Sequence, residues 1–272
     1  MRRLLMGLLL AAALWPVQVL AAGDGKTSAV TPVAKDHPLK ELWSGYHFSS
    51  PEIRKLQDSD SDNPAMKLFG KGEAMWKKAE GQAKKSCASC HGDAEKSMKG
   101  AAARFPAYFK LSKKPITIEA RINLCRAKFM QARPLPFESD PMLALAIYVK
   151  RQSRGMAISV AGDGPLKPFL QKGKDYHTTR RGQLDTSCAG CHNKYAGQRY
   201  RAVKMSQGHA NGFPAYAQGK KKTGSLLRQV NLCLARVRAT PLKAGSDQLT
   251  NLELYLAWRA SGLEVETPAV RE

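Results

Sequence analysis

The apolar positions cluster in a few runs with the spacing of buried helix faces. Met142-Leu-Ala-Leu-Ala-Ile-Tyr-Val149 follows Ser139-Asp140, and a Ser-Asp pair ahead of an apolar run predicts a helix N-terminus and then a buried face. Ser246-Asp247 with Leu249, Leu252, Leu254, Tyr255 and Leu256 repeats the pattern. Gly155 and Gly262 are the predicted stops. Segments 115–131 and 224–239 also carry helical spacing, whereas strand-type alternation is scarce. A further apolar run, Leu4 to Val19, sits between Met1-Arg2-Arg3 and the small residues Ala21-Ala22. It reads as a secretory signal peptide over residues 1–22, cleaved near Ala21/Ala22. The run is short for a membrane span, and no later segment is a better candidate. The expected mature chain is therefore exported and carries no membrane anchor.

The two Ser-Asp helices belong to a longer internal repeat. Gly72 and Gly173 each stand 15 residues before a cysteine, Cys87 and Cys188. Phe105-Pro-Ala-Tyr108 recurs as Phe213-Pro-Ala-Tyr216, and 17 residues beyond each tyrosine lies a cysteine, Cys125 or Cys233. Both close the tripeptide Asn-Leu-Cys, and both copies continue through Pro-Leu (134–135, 241–242) to their Ser-Asp. The expected modules are residues 64–160 and 161–272, preceded by a polar extension, 23–63, that wraps the surface. From His91 to Phe105 is 14 residues and from His192 to Phe213 is 21, so the second copy has a longer connection within 194–211.

Four of the six cysteines have a recognisable role. Cys87-Ala-Ser-Cys90-His91 and Cys188-Ala-Gly-Cys191-His192 are C-x-x-C-H motifs, the attachment signature of c-type haem. Two thiols at this spacing reach the two vinyl groups of one porphyrin, and the adjacent imidazole turns onto the iron. A zinc site or a redox dithiol would leave both histidines unexplained. The pattern thus predicts two covalently bound haem c groups with His91 and His192 as axial ligands. The fold class is mainly α: two tandem class I-like cytochrome c modules behind an irregular N-terminal extension.

Cys125 and Cys233 occupy equivalent positions. One reading joins them in a disulfide, another buries them as apolar thiols, and the favoured one makes each the distal ligand of its own haem. Thiolate ligation donates strongly to iron and lowers its potential relative to methionine. Met98, Met130, Met142 and Met156 are rivals in the first module, Met205 in the second. His177 and His209 are further candidates, better read as surface or packing residues.

Charge narrows the partners. Lys and Arg number 44 against 22 Asp and Glu, a formal +22, which attracts anions. Export and the absence of any RNA- or DNA-binding motif argue against nucleic acid. Small anions and acidic proteins remain.

The paired Ser-Cys-Ala-x-Cys-His motifs, Ser206-Gln-Gly-His-Ala-Asn-Gly-Phe-Pro-Ala-Tyr216, the Asn-Leu-Cys segments and the closing stretch 252–271 resemble the A subunits of SoxAX cytochrome complexes. The resemblance covers nearly the whole mature chain and implies a periplasmic sulfurtransferase. Such an enzyme oxidatively joins thiosulfate to a cysteine thiol of the carrier SoxYZ, and two electrons pass through haem to a SoxX-type monohaem cytochrome bound as a heterodimer. It further implies that the second haem is catalytic, that Cys233 is its distal ligand and carries a persulfide, and that the first haem, with His91 and Cys125, is not catalytic. The family places an active-site arginine four residues before the catalytic cysteine. Here that position is Gln229; Arg228 lies one residue earlier, a turn of about 100° on a helix. Arg228 is the candidate cation, with Arg236 and Arg238 as substitutes, and Arg121 holds the family offset in the wrong module. A thiosulfate dehydrogenase forming tetrathionate and a plain dihaem electron carrier are the alternatives.

Overall fold

The computed structural model describes residues 29–200 and 203–272, so the predicted signal peptide lies outside the described residues. The chain forms helices α1 (Pro51–Asp58), α2 (Met66–Lys77), α3 (Cys87–His91), α4 (Ala94–Ser97), α5 (Ala101–Arg104), α6 (Ile118–Cys125), α7 (Asp140–Arg151), α8 (Lys167–Thr178), α9 (Leu226–Arg236) and α10 (Asp247–Arg259). Between them lie short strands β1 (Ala107–Phe109), β2 (Lys114–Ile116), β3 (Arg199–Tyr200), β4 (Val203–Lys204), β5 (Ala215–Ala217), β6 (Lys222–Gly224) and β7 (Ala269–Arg271). None of the strands is longer than three residues, too short for alternation to register in the sequence. Among the described residues, no helix is long and apolar enough to cross a membrane.

The repeat is a repeat in space. In the first module α2 packs on α7; in the second α8 packs on α10. Each crossing requires glycine: a Cβ on Gly72 would stand 2.2 Å from the Ala144 carbonyl oxygen, and one on Gly173 would stand 2.0 Å from that of Asn251. Ser139 and Ser246 cap their helices by accepting from the amides of Met142 and Leu249, satisfying one orphan donor each. The hairpins β1–β2 and β5–β6 follow the two Phe-Pro-Ala-Tyr segments. The tripeptide asparagines explain the Pro-Leu that follows them. Asn123 donates to the Leu135 carbonyl at 2.9 Å and accepts from its amide at 2.7 Å. Asn231 does the same with Leu242, at 3.0 and 2.8 Å. Each Asn-Leu-Cys is thus fixed against the segment leading to the last helix of its module.

Apolar burial joins the modules. Every residue from Met142 to Val149 is buried, because α7 packs on α2 through one face while Leu143, Ala144 and Ile147 share a cluster with Tyr216 of the second module. Ile158 and Leu263 exchange a backbone hydrogen bond of 2.9 Å across the boundary. The N-terminal extension is more ordered than its polar composition predicts, with a 3-10 turn (Gly45–Phe48) and α1, and it buries Leu42, Tyr46 and Ile53. It closes onto the end of the chain. Buried Gln57 donates to Glu266 at 3.2 Å and accepts from the Val270 amide at 3.1 Å, Ser44 donates to Glu266, and Asn63 donates to the Pro268 carbonyl at 2.9 Å. Strand β7 pairs in parallel with β5, which completes the link from extension to second module.

Between the modules lies a cavity of about 110 Å³ lined by, among others, Phe105, Met142, Phe213 and Glu253. Burial there, with the nearby charges of Glu119 and Glu138 and against that of Lys150, raises the Glu253 carboxyl from 4.5 to about 8. Between those values the folded chain retains a proton that the unfolded chain releases, so folding stability falls as pH rises. Denaturation measured from pH 5 to pH 8 should show a decline in stability from this group, which Glu253→Gln abolishes. Gly173→Ala forces the α8–α10 crossing apart and should lower unfolding stability by ~1–3 kcal/mol, the usual range for overpacking.

Candidate haem and thiol site

In the first module α3 carries Cys87, Cys90 and His91. Ser86 and Ser89 form a reciprocal capping box: the Ser86 Oγ accepts from the Ser89 amide at 3.0 Å, and the Ser89 Oγ accepts from the Ser86 amide at 2.8 Å. This is the physical content of the serine before the motif. Trp76, one turn after the crossing glycine, donates from Nε1 to the Gly92 carbonyl at 3.0 Å. Cys125 ends α6. Burial pushes its thiol up, while the charge and hydrogen bond of Arg121, four residues earlier, pull it down; a charge on Cys90 opposes its ionisation.

The second module places the same groups differently. Gly190–Lys194 is a single π turn that carries Cys191 and His192, and Ser187 accepts from the Gly190 amide at 3.0 Å. His192 Nδ1 donates to the Ser206 carbonyl at 2.8 Å. That bond fixes the tautomer and leaves Nε2 for a metal. Gly208, at φ 73°, packs under the imidazole; a Cβ there would lie 2.8 Å from the ring. The longer connection seen in the sequence contains the antiparallel pair β3–β4 and delivers the Ser206–Gly208 strap to His192.

Cys233 lies in α9. Burial raises its thiol; Arg236 pulls it down, as does the Gln229 Nε2 hydrogen bond at 3.6 Å, and a charge on Cys191 raises it. The Cys188 thiol is likewise raised by burial, lowered by Arg181 and raised by Cys233. Three sulfurs, Cys188, Cys191 and Cys233, are thus near enough to bear on one another's ionisation. All six cysteines are free; Cys125 and Cys233 form no disulfide. The residues fit covalent haem: unpaired thiols at attachment spacing, a histidine with one ring nitrogen committed and the other open, and a further thiol on a neighbouring helix.

The rival methionines of the first module have packing roles, while Met205 of the second is half-buried and pairs through its backbone with Gly197 and Gln198. Met130 and Met142 are buried in the core, Met98 packs in the cluster around Trp76, and Met156 packs in the cluster around Ile158. His177 and His209 are buried rather than on the surface. Among the described residues His177 has no hydrogen-bond partner on either ring nitrogen and is driven by burial down to about 2; His209 donates from Nε2 to Gln207 Oε1 at 3.0 Å. Of the candidate cations, Arg228 does not turn to Cys233: its Nε donates to Glu138 of the first module at 2.7 Å. Arg238 donates to Gln183 at 3.1 Å. Arg236 is the arginine whose charge bears on the thiol.

Sequence reading passed over Arg259. It is fully buried and donates to the Gln207 carbonyl at 3.0 Å and to Asn193 Oδ1 at 2.6 Å. The signal was available in the repeat register, since Tyr148 aligned with Tyr255 sets Gln152 opposite Arg259.

The family model described as SoxA/TsdA, cytochrome c domain, matches residues 71–158 and again 172–265. A protein of Pseudaminobacter salicylatoxidans named L-cysteine S-thiosulfotransferase subunit SoxA is 42% identical over 247 residues, covering 90% of this chain and 86% of the relative. The Paracoccus pantotrophus protein of the same name is 39% identical over 277 residues, with 98% and 94% covered. Among solved structures, a crystal structure of SoxXA from P. pantotrophus superposes with a TM-score of 0.83 at 39% identity, covering 86% of this chain and 89% of that one.

Gly208→Ala combines a left-handed backbone position with a clash against His192. Chemical denaturation of the haem-loaded protein should show a loss of ~1–3 kcal/mol, the cost of holding a strained non-glycine residue.

Proposed function

The chain belongs to the SoxA family of cytochrome c sulfurtransferase subunits, and we propose that it is the dihaem subunit of an L-cysteine S-thiosulfotransferase acting in sulfur oxidation. As a cytochrome c it carries covalently attached haem c. We assign two: one on Cys87 and Cys90 with His91 and Cys125 as the iron-holding pair, the other on Cys188 and Cys191 with His192 and Cys233. The observation that supports the catalytic assignment is Cys233, a half-buried thiol on α9 that feels the charges of Cys191 and Arg236. The proposed modules are residues 64–160 and 161–272. The expected location is the periplasm, reached through the signal peptide.

The reaction joins thiosulfate to a carrier thiol. A new S–S bond forms between the outer sulfur of thiosulfate and the carrier sulfur, the thiol proton leaves, and two electrons are released. When bound, haem supplies the route by which those electrons depart, and a SoxX-type cytochrome in the heterodimer receives them. The chain's own residues bring the anion to sulfur. Thiosulfate is a dianion approaching a site of thiolate character, and a cation near the sulfur offsets that repulsion. Arg236 fills this role, with Gln229 as a neutral donor to Cys233 where other members of the family have arginine. Arg228, committed to Glu138, acts as a bolt between modules. A persulfide on Cys233 extends the reactive sulfur beyond the helix. The SoxYZ carrier is expected to meet the basic surface of the chain.

Turnover with thiosulfate, the partner cytochrome and the reduced carrier tests the assignment. Cys233→Ala, which leaves the attachment cysteines intact, should abolish conjugate formation with two haems per chain retained; Cys125→Ala should leave conjugation within a few-fold of the parent. Conjugation that persists in Cys233→Ala refutes the role. Arg236→Gln should depress turnover about tenfold or more, the scale expected when a charge-stabilising donor is removed, while Arg228→Gln costs mainly stability. Tetrathionate formed from thiosulfate without any carrier would favour the dehydrogenase reading.

A further inference from the structure

Because the two modules are built alike, their differences mark what the second does beyond holding a haem. The sharpest difference is a closed ring of contacts around His192. Its Nδ1 donates to the Ser206 carbonyl, and the next carbonyl along, that of Gln207, accepts from Arg259 Nη1. The other arm of the same guanidinium donates to Asn193 Oδ1, and Asn193 follows His192 in the chain. Gln207 is itself pinned by the N-terminal extension: its Oε1 accepts from the Trp43 amide at 2.7 Å and its Nε2 donates to the Glu41 carbonyl at 3.0 Å. His37, also from the extension, donates to the Arg259 carbonyl at 3.1 Å.

The first module has no such ring. Gln152 stands at the register of Arg259 and donates back to the Tyr148 carbonyl of its own helix at 2.9 Å. Gly92, without a side chain, stands at the register of Asn193, and the strap belongs to the connection that is longer only in the second copy.

Arg259 is unusual as a buried cation. Among the described residues no carboxylate pairs with it, and its Nε has no partner. Burying such a charge costs several kcal/mol, and burial lowers the guanidinium to about 10, which still leaves it charged at neutral pH. An enclosed, uncompensated charge acts strongly on its surroundings because little dielectric screens it.

We propose that Arg259 is a positioning residue for the second haem: its fork fixes His192 through Asn193 and the Ser206–Gln207 strap, and its unpaired charge favours the reduced state of the group that His192 holds. A thiolate ligand drives the potential down, and Arg259 counters it from the histidine side, which eases the release of electrons from sulfur. The inference rests on the proposed second haem at His192 and is independent of the sulfur chemistry.

Spectroelectrochemical titration of the haem-loaded protein tests it. Arg259→Gln should lower the reduction potential of the His192 haem by about tenfold in its reduction equilibrium or more, ~59 mV for one electron, while the His91 haem stays unmoved. Arg259→Lys, which keeps the charge, should restore most of the difference. An unmoved His192 haem in Arg259→Gln at full haem content, or an equal shift of both haems, overturns the inference. Asn193→Ala keeps the charge and cuts one arm of the fork, so it serves if Arg259→Gln fails to load haem. It should alter the electron paramagnetic resonance g-values of the His192 haem alone, and unchanged g-values overturn the positioning role. Parent protein with no His192-ligated haem would instead refute the haem assignment of the proposed function.

Discussion

Each module depends on one contact that tolerates no side-chain carbon: the crossing of its first and last helices at Gly72 or Gly173. At about 2 Å from a facing carbonyl oxygen, a Cβ has no room at either site. Close approach brings Tyr148 and Tyr255 onto the glycine helices, and it sets the distance from which the C-x-x-C-H segments and the Asn-Leu-Cys helices are hung. The asparagine clamps on Leu135 and Leu242 then transmit that geometry to Cys125 and Cys233. The position of each Asn-Leu-Cys cysteine therefore rests on helix packing and on two side-chain amides.

On this shared scaffold the copies diverge where chemistry is expected. The first has Arg121 four residues before its cysteine, a tryptophan donating to the carbonyl of Gly92 after its Cys-x-x-Cys-His segment, and no strap. The second has a neutral Gln229 at that offset, a buried histidine in place of the tryptophan, and a connection that reaches under His192. Cationic influence on Cys233 comes instead from Arg236, one turn further along α9.

Much of this was legible in the sequence because it is local. Cysteine and histidine at fixed spacing, Ser-Asp before an apolar run and asparagine two residues before cysteine each express a contact made within a turn or a short loop. What escaped was set by partners far along the chain. Arg228 looked like a candidate cation until Glu138 of the other module claimed it. The helix α1 was missed because, of its eight residues, it buries chiefly Ile53 and Gln57. Arg259 read as an ordinary basic residue at a helix end, and only its enclosure by Asn193, Gln207 and His37 gives it a different meaning. The strands were invisible for want of length.

The clasp between the extension and the tail has a consequence for the second site. Residues around 44–63 find their partners at 266–271, across sequence separations of 205 to 222 residues. Both helix crossings, by contrast, lie each within its own module. The Gln207 strap, held by Glu41 and Trp43, therefore ties the second site to the same clasp that joins the extension to the tail.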